Sequence, residues 1–307
     1  MKKITVIGSL NMDHVIQVPA MPRLGETVLS TGFDLIPGGK GANQACAAGR
    51  LGGQVVMLGA VGADEPGGVL LDSLASAGVD VSRIKRCQGV RTGAAFISVD
   101  SEGGNSIMVY AGANGQVDIP YIKENAGVLE DSGIVLLQLE IPLETVVFAA
   151  KTAKAMGKTV VLDPAPARAD LPPELFAYVD YLKPNEVELA TLTGDGQAEE
   201  HLAQAAEALQ ARGVGNVTVT LGGKGAFVLD SQGQARQYPA RKGLRVVDST
   251  AAGDSFTGAM AAALAQGRPL GEAVEFAVLV SGIVVTRKGA QTSIPTLAEA
   301  EAFRQGR

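Results

Sequence analysis

Short runs of β-branched and aliphatic residues recur along this chain, separated by amphipathic stretches of helical length. Such continuous apolar runs are typical of strands whose two faces are both covered by helices. Strands that alternate with helices form right-handed βαβ units and a mostly parallel sheet. The sequence therefore predicts a three-layer αβα domain, with strands at residues 4–7, 55–58, 134–137, 160–162 and 217–221 and helices at residues 143–156 and 202–211.

Two regions, residues 14–36 and 91–110, lack a helical period and read as pairs of strands. Because α/β folds of this length are often undivided, we expect one domain over residues 1–307, carrying both regions as inserts. A small sheet is only marginally stable alone, so it should cover a site as a lid or pair with another subunit. The predicted strands are at residues 14–18, 26–29, 94–99 and 105–110, with a hairpin turn at residues 100–104.

Composition narrows the class of protein. The net charge of −6 gives no support to a nucleic-acid or anionic-membrane surface. The first apolar stretch is too short for a signal peptide, and no run of 18 apolar residues predicts a membrane span, so we expect a cytoplasmic protein. Cys46 and Cys87 show no zinc-binding spacing and are interpreted as small buried hydrophobic residues.

Residues 248–256, DSTAAGDSF, place small residues directly before a predicted helix. Backbone amides at a helix start bind anions, and Ala and Gly let a phosphate approach them closely. Asp254 would repel that phosphate but could accept a proton from an attacking hydroxyl. A helix with a small-residue start and an acidic first turn explains the segment equally well. The helix is predicted to bury one face, formed by Phe256, Ala259, Met260, Ala263 and Leu264, and to end near Gly267 and Pro269.

Residues 37–44, PGGKGANQ, also place glycines before a helix. The segment is neither a Walker A loop nor a dinucleotide fingerprint, because the spacing differs from both. Lys40 and Asn43 are candidates for binding hydroxyl groups, although a plain glycine-rich turn remains an alternative.

Asn11 and Asp13 follow the first predicted strand. Open parallel sheets bind ligands beyond the carboxyl ends of their strands, so this pair could bind vicinal hydroxyls. An Asx turn that closes the strand is the alternative.

Residues 183–188, KPNEVE, open a helix. Asn185 and Glu188 lie three residues apart on one face, which suits either a capping box or contacts to phosphate and Mg²⁺-bound water.

Residues 220–225, TLGGKG, connect two predicted strands. The glycine-rich connection could hold a nucleotide against the backbone, or it could be a plain hairpin turn.

Together these motifs resemble the phosphofructokinase-B sugar kinase family. Two long stretches carry the resemblance: residues 38–52 (GGKGANQACAAGRLG) and 248–260 (DSTAAGDSFTGAM). Residues 8–14, 137–140, 183–188 and 286–290 match in the same order, so the resemblance spans the chain. It implies a ribokinase-like αβα fold with a small β-sheet lid, a homodimer formed through the lids, and transfer of the γ-phosphoryl of ATP to the 5-hydroxyl of D-ribose.

The resemblance also assigns site residues. Asp254 would be the base, and Ala251, Ala252 and Gly253 would form an anion hole. Glu188 would hold the water shell of Mg²⁺. Sugar contacts would come from Asn11, Met12, Asp13, Gly39, Lys40, Gly41, Ala42, Asn43 and Glu140, with Asp254. ATP contacts would come from Asn185, Thr220, Leu221, Gly222, Gly223, Lys224, Gly225, Gly253 and Val278.

Family members like this are activated by a monovalent cation, usually K⁺. A large, weakly hydrated cation suits a cage of one carboxylate and several carbonyls. Alternatively, Asp248 caps its own turn and Arg287 or Lys288 neutralises it at the surface. The implied ligands are Asp248 with oxygens of Thr250, Val284, Arg287, Gly289 and Ser293.

One position departs from the pattern, because Val278 stands where similar proteins often have Asn or His beside adenine. A valine offers no hydrogen bond, so apolar packing would have to replace it. Three other functions remain open: a kinase for another sugar or nucleoside (deoxyribose, a ketose), a non-catalytic sugar-binding regulator, and a dehydrogenase. The regulator should lack the base or the anion hole, and the dehydrogenase should carry a G-x-G-x-x-G after its first strand, which this chain does not have.

Overall fold

The computed structural model describes residues 1–306, and strands alternate with helices through most of them. All five predicted strands of the main sheet are present, within a residue or two of their predicted ends. The strands are β1 (Lys3–Ile7), β2 (Asn11–Gln17), β3 (Gly32–Gly38), β4 (Gln54–Leu58), β5 (Ala60–Gly62), β6 (Val79–Asp80), β7 (Lys85–Cys87), β8 (Gly93–Val99), β9 (Asn105–Tyr110), β10 (Ile134–Leu137), β11 (Thr159–Leu162), β12 (Tyr181–Leu182), β13 (Asn216–Thr220), β14 (Ala226–Leu229) and β15 (Ala235–Tyr238).

The predicted helices at residues 143–156 and 202–211 are also present. No helix within residues 1–306 is long and apolar enough to cross a membrane. Short 3₁₀ turns occupy Gly112–Gln116, Gly222–Lys224 and Gln291–Ser293. The α-helices are α1 (Lys40–Arg50), α2 (Glu65–Ser76), α3 (Ile119–Glu124), α4 (Ala126–Asp131), α5 (Leu143–Ala155), α6 (Pro173–Phe176), α7 (Glu186–Thr193), α8 (Leu202–Ala211), α9 (Ala252–Ala265), α10 (Leu270–Val284) and α11 (Leu297–Arg304).

The main sheet is mostly parallel, which confirms the predicted fold class. Its order over the described residues is β15-β14-β13-β12-β11-β10-β1-β4-β6, and only β14 runs opposite to the others, so the β13–β14 and β14–β15 pairs are antiparallel. Each face packs against its own apolar cluster. One cluster joins α1, α9 and α10 to the sheet, and the other joins α5, α7 and α8. This arrangement gives the three layers and brings the carboxyl ends of the parallel strands to one edge.

Helix α9 is buried almost all round, whereas the spacing of its large residues predicted one buried face. Residues 254–263 are all buried. The helix lies against α1, α10 and the sheet, and its alanines and glycine allow these close contacts. At Gly258 the helices are too close for any larger residue, because a Cβ there would lie 2.5 Å from the carbonyl oxygen of Gln44. The helix ends where predicted, with Gly267 at a φ of 84°.

The second sheet, in the order β3-β2-β8-β9, is built from the two predicted inserts. The predicted hairpin between β8 and β9 is present. The predicted strand at residues 26–29 is wrong, because that segment is an irregular loop and β2 pairs with Gly32–Gly38 instead. Leu29 is 86% exposed there and packs against no neighbouring strand, so its apolar sequence has nothing to stabilise it as one.

Candidate active site

Polar residues line the carboxyl edge of the main sheet. Ser9, Gln138, Asp163 and Lys183 each follow a neighbouring parallel strand, in the order β1, β10, β11 and β12. A cleft of about 960 Å³ lies between this edge and the second sheet. The cleft is the place where an open α/β sheet binds ligands.

The N-terminus of α9 opens into this cleft. Ala251 occupies the N-cap position at a φ of 59°, the left-handed conformation that a non-glycine residue adopts only at a cost. Within residues 1–306, the N–H groups of Gly253 and Asp254 have no hydrogen-bond acceptor. The amide of Ala252, which the sequence included in the anion hole, donates to the carbonyl of Ser249 at 3.2 Å. The N–H of Ala251 also has no acceptor within residues 1–306, so the open amides at this helix end are those of Ala251, Gly253 and Asp254.

Asp254 lies on the first turn of α9, with 9% of its surface exposed, and lines the cleft. Its two carboxylate oxygens accept hydrogen bonds from α1. Asn43 Nδ2 donates to Oδ2 at 2.9 Å, and Gln44 Nε2 donates to Oδ1 at 3.0 Å. Each oxygen keeps a second lone pair, so a substrate hydroxyl can still bind. The two bonds fix the carboxylate, since α1 and α9 pack closely.

Gly38 and Gly39 precede α1 for two different steric reasons. A Cβ on Gly38 would lie 2.1 Å from Oδ2 of Asp13, so only glycine leaves room for that carboxylate. Gly39 has a φ of 91°, and a Cβ there would lie 2.6 Å from the backbone nitrogen of Asn11. The glycines thus let β2, with Asn11 and Asp13, lie directly beside the start of α1.

Asn11 is the first residue of β2 and not part of an Asx turn. Its orientation is set by Asn114, which the sequence analysis missed. Leu10 N donates to Asn114 Oδ1 at 2.9 Å, and this bond identifies the Asn114 amide nitrogen, which donates to Asn11 Oδ1 at 2.7 Å. The free amide group of Asn11 is therefore its NH₂, a donor for a ligand oxygen. No sequence signal marked Asn114, because it lies in a 3₁₀ turn 103 residues away.

Asp13 faces the same cleft from β2. Burial first, and then the nearby charges of Glu140 and Asp254, raise the pKa of its carboxyl to about 7, while Lys40 opposes them. No hydrogen-bond donor in the part of the chain that the structure describes contacts this carboxylate. Its oxygens are therefore available to ligand hydroxyl groups.

Glu140 connects β10 to the start of α1. Its Oε2 accepts a hydrogen bond from Ser9 Oγ at 2.5 Å and another from the backbone N–H of Lys40 at 3.1 Å. Lys40 lies between the carboxylates. Burial lowers the pKa of its ammonium, but the charges of Asp254 and Glu140 outweigh burial, so the pKa lies above its usual value. The ammonium is therefore charged.

The structure brings together most but not all of the predicted sugar contacts. Those that line the cleft are Asn11, Asp13, Gly39, Lys40, Asn43, Glu140 and Asp254. Three other residues predicted as sugar contacts do not line the cleft. Met12 points into the core, Gly41 packs against the backbone of Gly8 and Ser9, and Ala42 is fully buried beside the same loop.

Asn185 and Glu188 form a complete capping box at the start of α7. Glu188 N donates to Asn185 Oδ1 at 2.8 Å, and Asn185 N donates to Glu188 Oε2 at 2.7 Å. Burial, then Asp163, raises the pKa of Glu188, and Lys183 and Lys40 oppose this shift. Glu188 is thus a buried carboxylate that caps the helix, and its second oxygen is not used by the cap.

The glycine-rich connection after β13 is an exposed 3₁₀ turn between antiparallel strands, as the strand–loop–strand prediction required. Thr220 bridges to Asn185, which places this turn beside the start of α7. Side chains at Gly222 and Gly223 would meet nothing within 4 Å, so this surface is open. Val278 lies half-buried on α10 and packs against the core below it.

Asp248 ties two loops together. Its Oδ1 accepts from Thr250 N at 2.8 Å and from Thr250 Oγ1 at 2.6 Å, and its Oδ2 accepts from Gly289 N at 2.9 Å. Burial raises the pKa of Asp248, but these bonds and the charge of Lys288 together outweigh burial, so the pKa lies below its usual value. Arg287 and Lys288 pair with Glu299 and Asp34 instead, so neither makes the direct contact with Asp248 that the alternative assumed. Val284, at the end of α10, and Ser293 belong to the second loop region.

Comparison with known proteins agrees with this geometry. The model of the pfkB family carbohydrate kinases matches residues 1–297. The chain is 40% identical over 305 residues to a ribokinase of Haemophilus influenzae, with 98% of each chain covered. It is 36% identical over 297 residues to a deoxyribokinase of Salmonella typhimurium, with 96% of each chain covered. A solved structure of Arabidopsis thaliana ribokinase complexed with ribose and ATP has a TM-score of 0.90 and 32% identity, covering 98% of this chain and 97% of that one.

The chain therefore belongs to the pfkB family of carbohydrate kinases. It is a phosphotransferase that acts on a sugar hydroxyl, and the fold predicted from the sequence is confirmed.

Proposed function

We propose that this chain transfers the γ-phosphoryl group of ATP to the 5-hydroxyl of D-ribose, giving ribose 5-phosphate and ADP. One observation carries the proposal: a buried, immobilised carboxylate, Asp254, lies on the first turn of a helix whose N-terminal amides are open, at the floor of a cleft lined by hydroxyl-binding groups. A base, an anion site and a polar sugar site in one cleft are the parts that a sugar kinase needs. The relatives named above support ribose as the sugar.

Sugar binding would rest on complementary polar groups. Asn11 presents NH₂ and so binds a hydroxyl oxygen, whereas Asp13 and Glu140 accept hydroxyl protons. Lys40 and Asn43 add donors on the α1 side of the cleft. This set suits vicinal hydroxyls, because each hydroxyl both donates and accepts and the cleft offers donors and acceptors.

Phosphoryl transfer needs positioning and charge stabilisation more than covalent chemistry. Asp254 accepts the proton of the 5-hydroxyl as the oxygen attacks the phosphorus. The amides of Gly253 and Asp254 then stabilise the charge on the phosphoryl oxygens, because they are fixed before the reaction starts. Asn185 and Thr220–Gly225, which are adjacent in the structure, would hold the nucleotide.

Mg²⁺ fits the charges of the site. Five carboxylates, those of Asp13, Glu140, Asp163, Glu188 and Asp254, surround two ammonium groups, so added phosphates require a further cation. Bound Mg²⁺ would neutralise charge on the phosphates. Glu188 is suited to hold water of the Mg²⁺ shell, since one of its oxygens is free of the capping box.

A monovalent cation, K⁺ by the resemblance, fits beside Asp248. The carboxylate already joins the loop that carries Ala251 to the loop at Gly289, and its Oδ2, which accepts one hydrogen bond, retains a lone pair. A cation between the loops would fix the anion hole without contacting ATP. Its ligands would be Asp248 and oxygens of Thr250, Val284, Arg287, Gly289 and Ser293.

We also propose that the chain acts as one domain, with the second sheet as a lid over the cleft. One face of that sheet lines the cleft, and the other exposes apolar side chains, including Phe33, Leu35, Met108 and Tyr110. His14 stacks on Phe96 on this outer face. The lid of a second copy would cover these residues, so the homodimer stays a prediction. The cytoplasmic location also stays a prediction.

A coupled assay of ADP release over a panel of sugars tests the proposed function. D-Ribose should give a kcat/KM about 5- to 150-fold above that of 2-deoxyribose, because a missing hydroxyl leaves a buried polar group of the Asn11–Asp13 pair unpaired. Fructose and adenosine serve as the ketose and nucleoside controls. Equal use of ribose and 2-deoxyribose would favour the second candidate, a deoxyribose kinase like the relative from Salmonella. Preference for adenosine or fructose would contradict the proposal.

A further inference from the structure

A buried ion pair lies beside the anion hole, at residues to which the sequence gave no role. Lys183 Nζ lies 2.8 Å from Asp163 Oδ2, and the two side chains are 4% and 2% exposed. Both residues follow neighbouring strands, β12 and β11, at the carboxyl edge. A buried ion pair rarely adds stability, because desolvation of two charges offsets their attraction. Stability alone therefore does not explain the pair, which points to a functional role.

The surroundings of Lys183 point to an anionic ligand. A Cβ built on Gly253 would have Lys183 Nζ, at 3.6 Å, as its nearest neighbour. The ammonium thus lies at the N-terminus of α9, where the positive end of the helix dipole disfavours a cation. Among residues 1–306, Asp163 holds the one carboxylate within 4.0 Å of this ammonium, which has three hydrogens to donate. An anion at the open amides of Gly253 and Asp254 would offset the repulsion between the ammonium and the helix dipole, and it would accept the remaining ammonium hydrogens.

Asp163 explains how the ammonium is held in place. Its Oδ2 accepts hydrogen bonds from Gln44 Nε2 at 2.9 Å and from Thr257 Oγ1 at 3.0 Å, in addition to the contact with Lys183. Its Oδ1 is buried without a hydrogen-bond partner. Gln44 donates to Asp254 as well, so one amide joins the base to the carboxylate that holds the ammonium.

We propose that Lys183 binds the terminal phosphoryl group of ATP at the start of α9, and that Asp163 positions its ammonium. This inference rests on the proposed function for the identity of the nucleotide. The ammonium, with the amides of Gly253 and Asp254, surrounds the phosphoryl oxygens as the 5-hydroxyl attacks. Lys183 therefore acts on the phosphoryl group and Asp254 on the hydroxyl.

The test is calorimetric binding of β,γ-imido-ATP and of AMP, each with Mg²⁺ and without sugar. The variant is Lys183→Met with Asp163→Asn, which removes both buried charges together. Affinity for β,γ-imido-ATP should fall about 10- to 150-fold, the size expected for a lost charge-assisted hydrogen bond, while affinity for AMP stays within twofold. The matched control is Lys154→Met with Asp180→Asn, an ion pair outside the cleft, which should leave both affinities unchanged.

Two results would overturn the proposal. One is an affinity for β,γ-imido-ATP within twofold of the parent, and the other is an equal loss for AMP, which would indicate a structural role. If the double variant does not fold, the same binding experiment is carried out with Asp163→Asn alone. That change removes the carboxylate that positions the ammonium, so affinity for β,γ-imido-ATP should fall while affinity for AMP stays within twofold, and unchanged β,γ-imido-ATP binding contradicts the proposal. Failure of the parent enzyme to phosphorylate any sugar would remove the proposed function and leave this binding test intact.

Discussion

The carboxyl edge of the main sheet and the second sheet face each other across the cleft, and they differ in how firmly they are held. Strands β1, β10 and β11 are covered on both faces, and most of their residues are fully buried. Strand β9 of the second sheet is exposed along its whole length. The main sheet can hold reacting groups at fixed distances, whereas the second sheet gains its stability from what it covers or contacts.

The division of roles follows from this difference. Asp254 and the open amides lie on α9, which is packed between α1, α10 and the sheet. Asp13 and Asn11 lie on β2, in the sheet that borders the cleft from above. The groups proposed to move protons and phosphoryl charge therefore belong to the rigid part of the molecule, whereas two of the groups proposed to bind the sugar, Asn11 and Asp13, belong to the second sheet.

The largest expected effect comes from a change in the rigid part of the molecule, at Asp254 on α9. Asp254→Asn keeps the shape of the side chain but cannot accept the proton of the hydroxyl, so kcat should fall about 10²- to 10⁴-fold. ATP and ribose binding, measured by calorimetry, should be largely kept. The control is Asp230→Asn, in an exposed turn outside the cleft, which should not change kcat. A kcat of Asp254→Asn within threefold of the parent would remove Asp254 as the base.

A smaller effect is expected on the lid side, from Asp13. Burial, together with Glu140 and Asp254, raises its pKa to about 7 from 3.8. Below that pKa the carboxyl is protonated and accepts fewer hydroxyl protons, so ribose should bind about tenfold more weakly at pH 6 than at pH 8. The folded state also holds this proton more tightly than the unfolded state, so the free energy of unfolding should fall as pH rises from about 4 to 7.

Calorimetry of ribose binding between pH 6 and pH 8 measures the first of these effects, and urea unfolding over the lower range measures the second. Asp13→Asn should bind ribose more weakly and remove both pH dependences. Unchanged ribose affinity between pH 6 and pH 8 in the parent protein would contradict the assigned role.

The smallest expected effect is activation by K⁺, which would act on the loop that carries the anion hole. Turnover of ATP and ribose should be several-fold faster with K⁺ than in Tris buffer without it, at matched ionic strength, and Na⁺ is compared in parallel. Asp248→Ala should abolish this response, whereas Asp170→Ala, which removes an exposed carboxylate outside the cleft, should keep it. Asp248→Ala also breaks hydrogen bonds to Thr250 and Gly289, which can change its basal rate. The test of the cation site is therefore whether this variant still responds to K⁺. Equal rates in all three buffers would remove the cation site.

Much of the fold was determined by local sequence. Continuous apolar runs fixed the strands of the main sheet, and the segments before α1 and α9 marked both helix starts that face the cleft. The loop at residues 26–29 was missed because its β-like composition has no partner strand, and pairing across a sheet is not a local property. The burial of α9 was underestimated for a similar reason, since alanine and glycine reveal their role only once neighbouring helices are in place.

The residues of the candidate site also fall into two groups, those that local sequence could predict and those that it could not. The sequence by itself marked Asp254, Lys40, Asn43, Asn11 and Asp13 as candidates, because each lies at a strand end or helix start with a recognisable local pattern, and the structure places all five at the cleft.

Only the tertiary structure decided what holds these groups. Asn114 orients Asn11 from 103 residues away, Gln44 joins Asp254 to Asp163 across 210 and 119 residues, and the Asp163–Lys183 pair lies beside Gly253. Such contacts leave no trace in spacing or periodicity, since a hydrogen bond depends on distance and angle in space and not on separation along the chain.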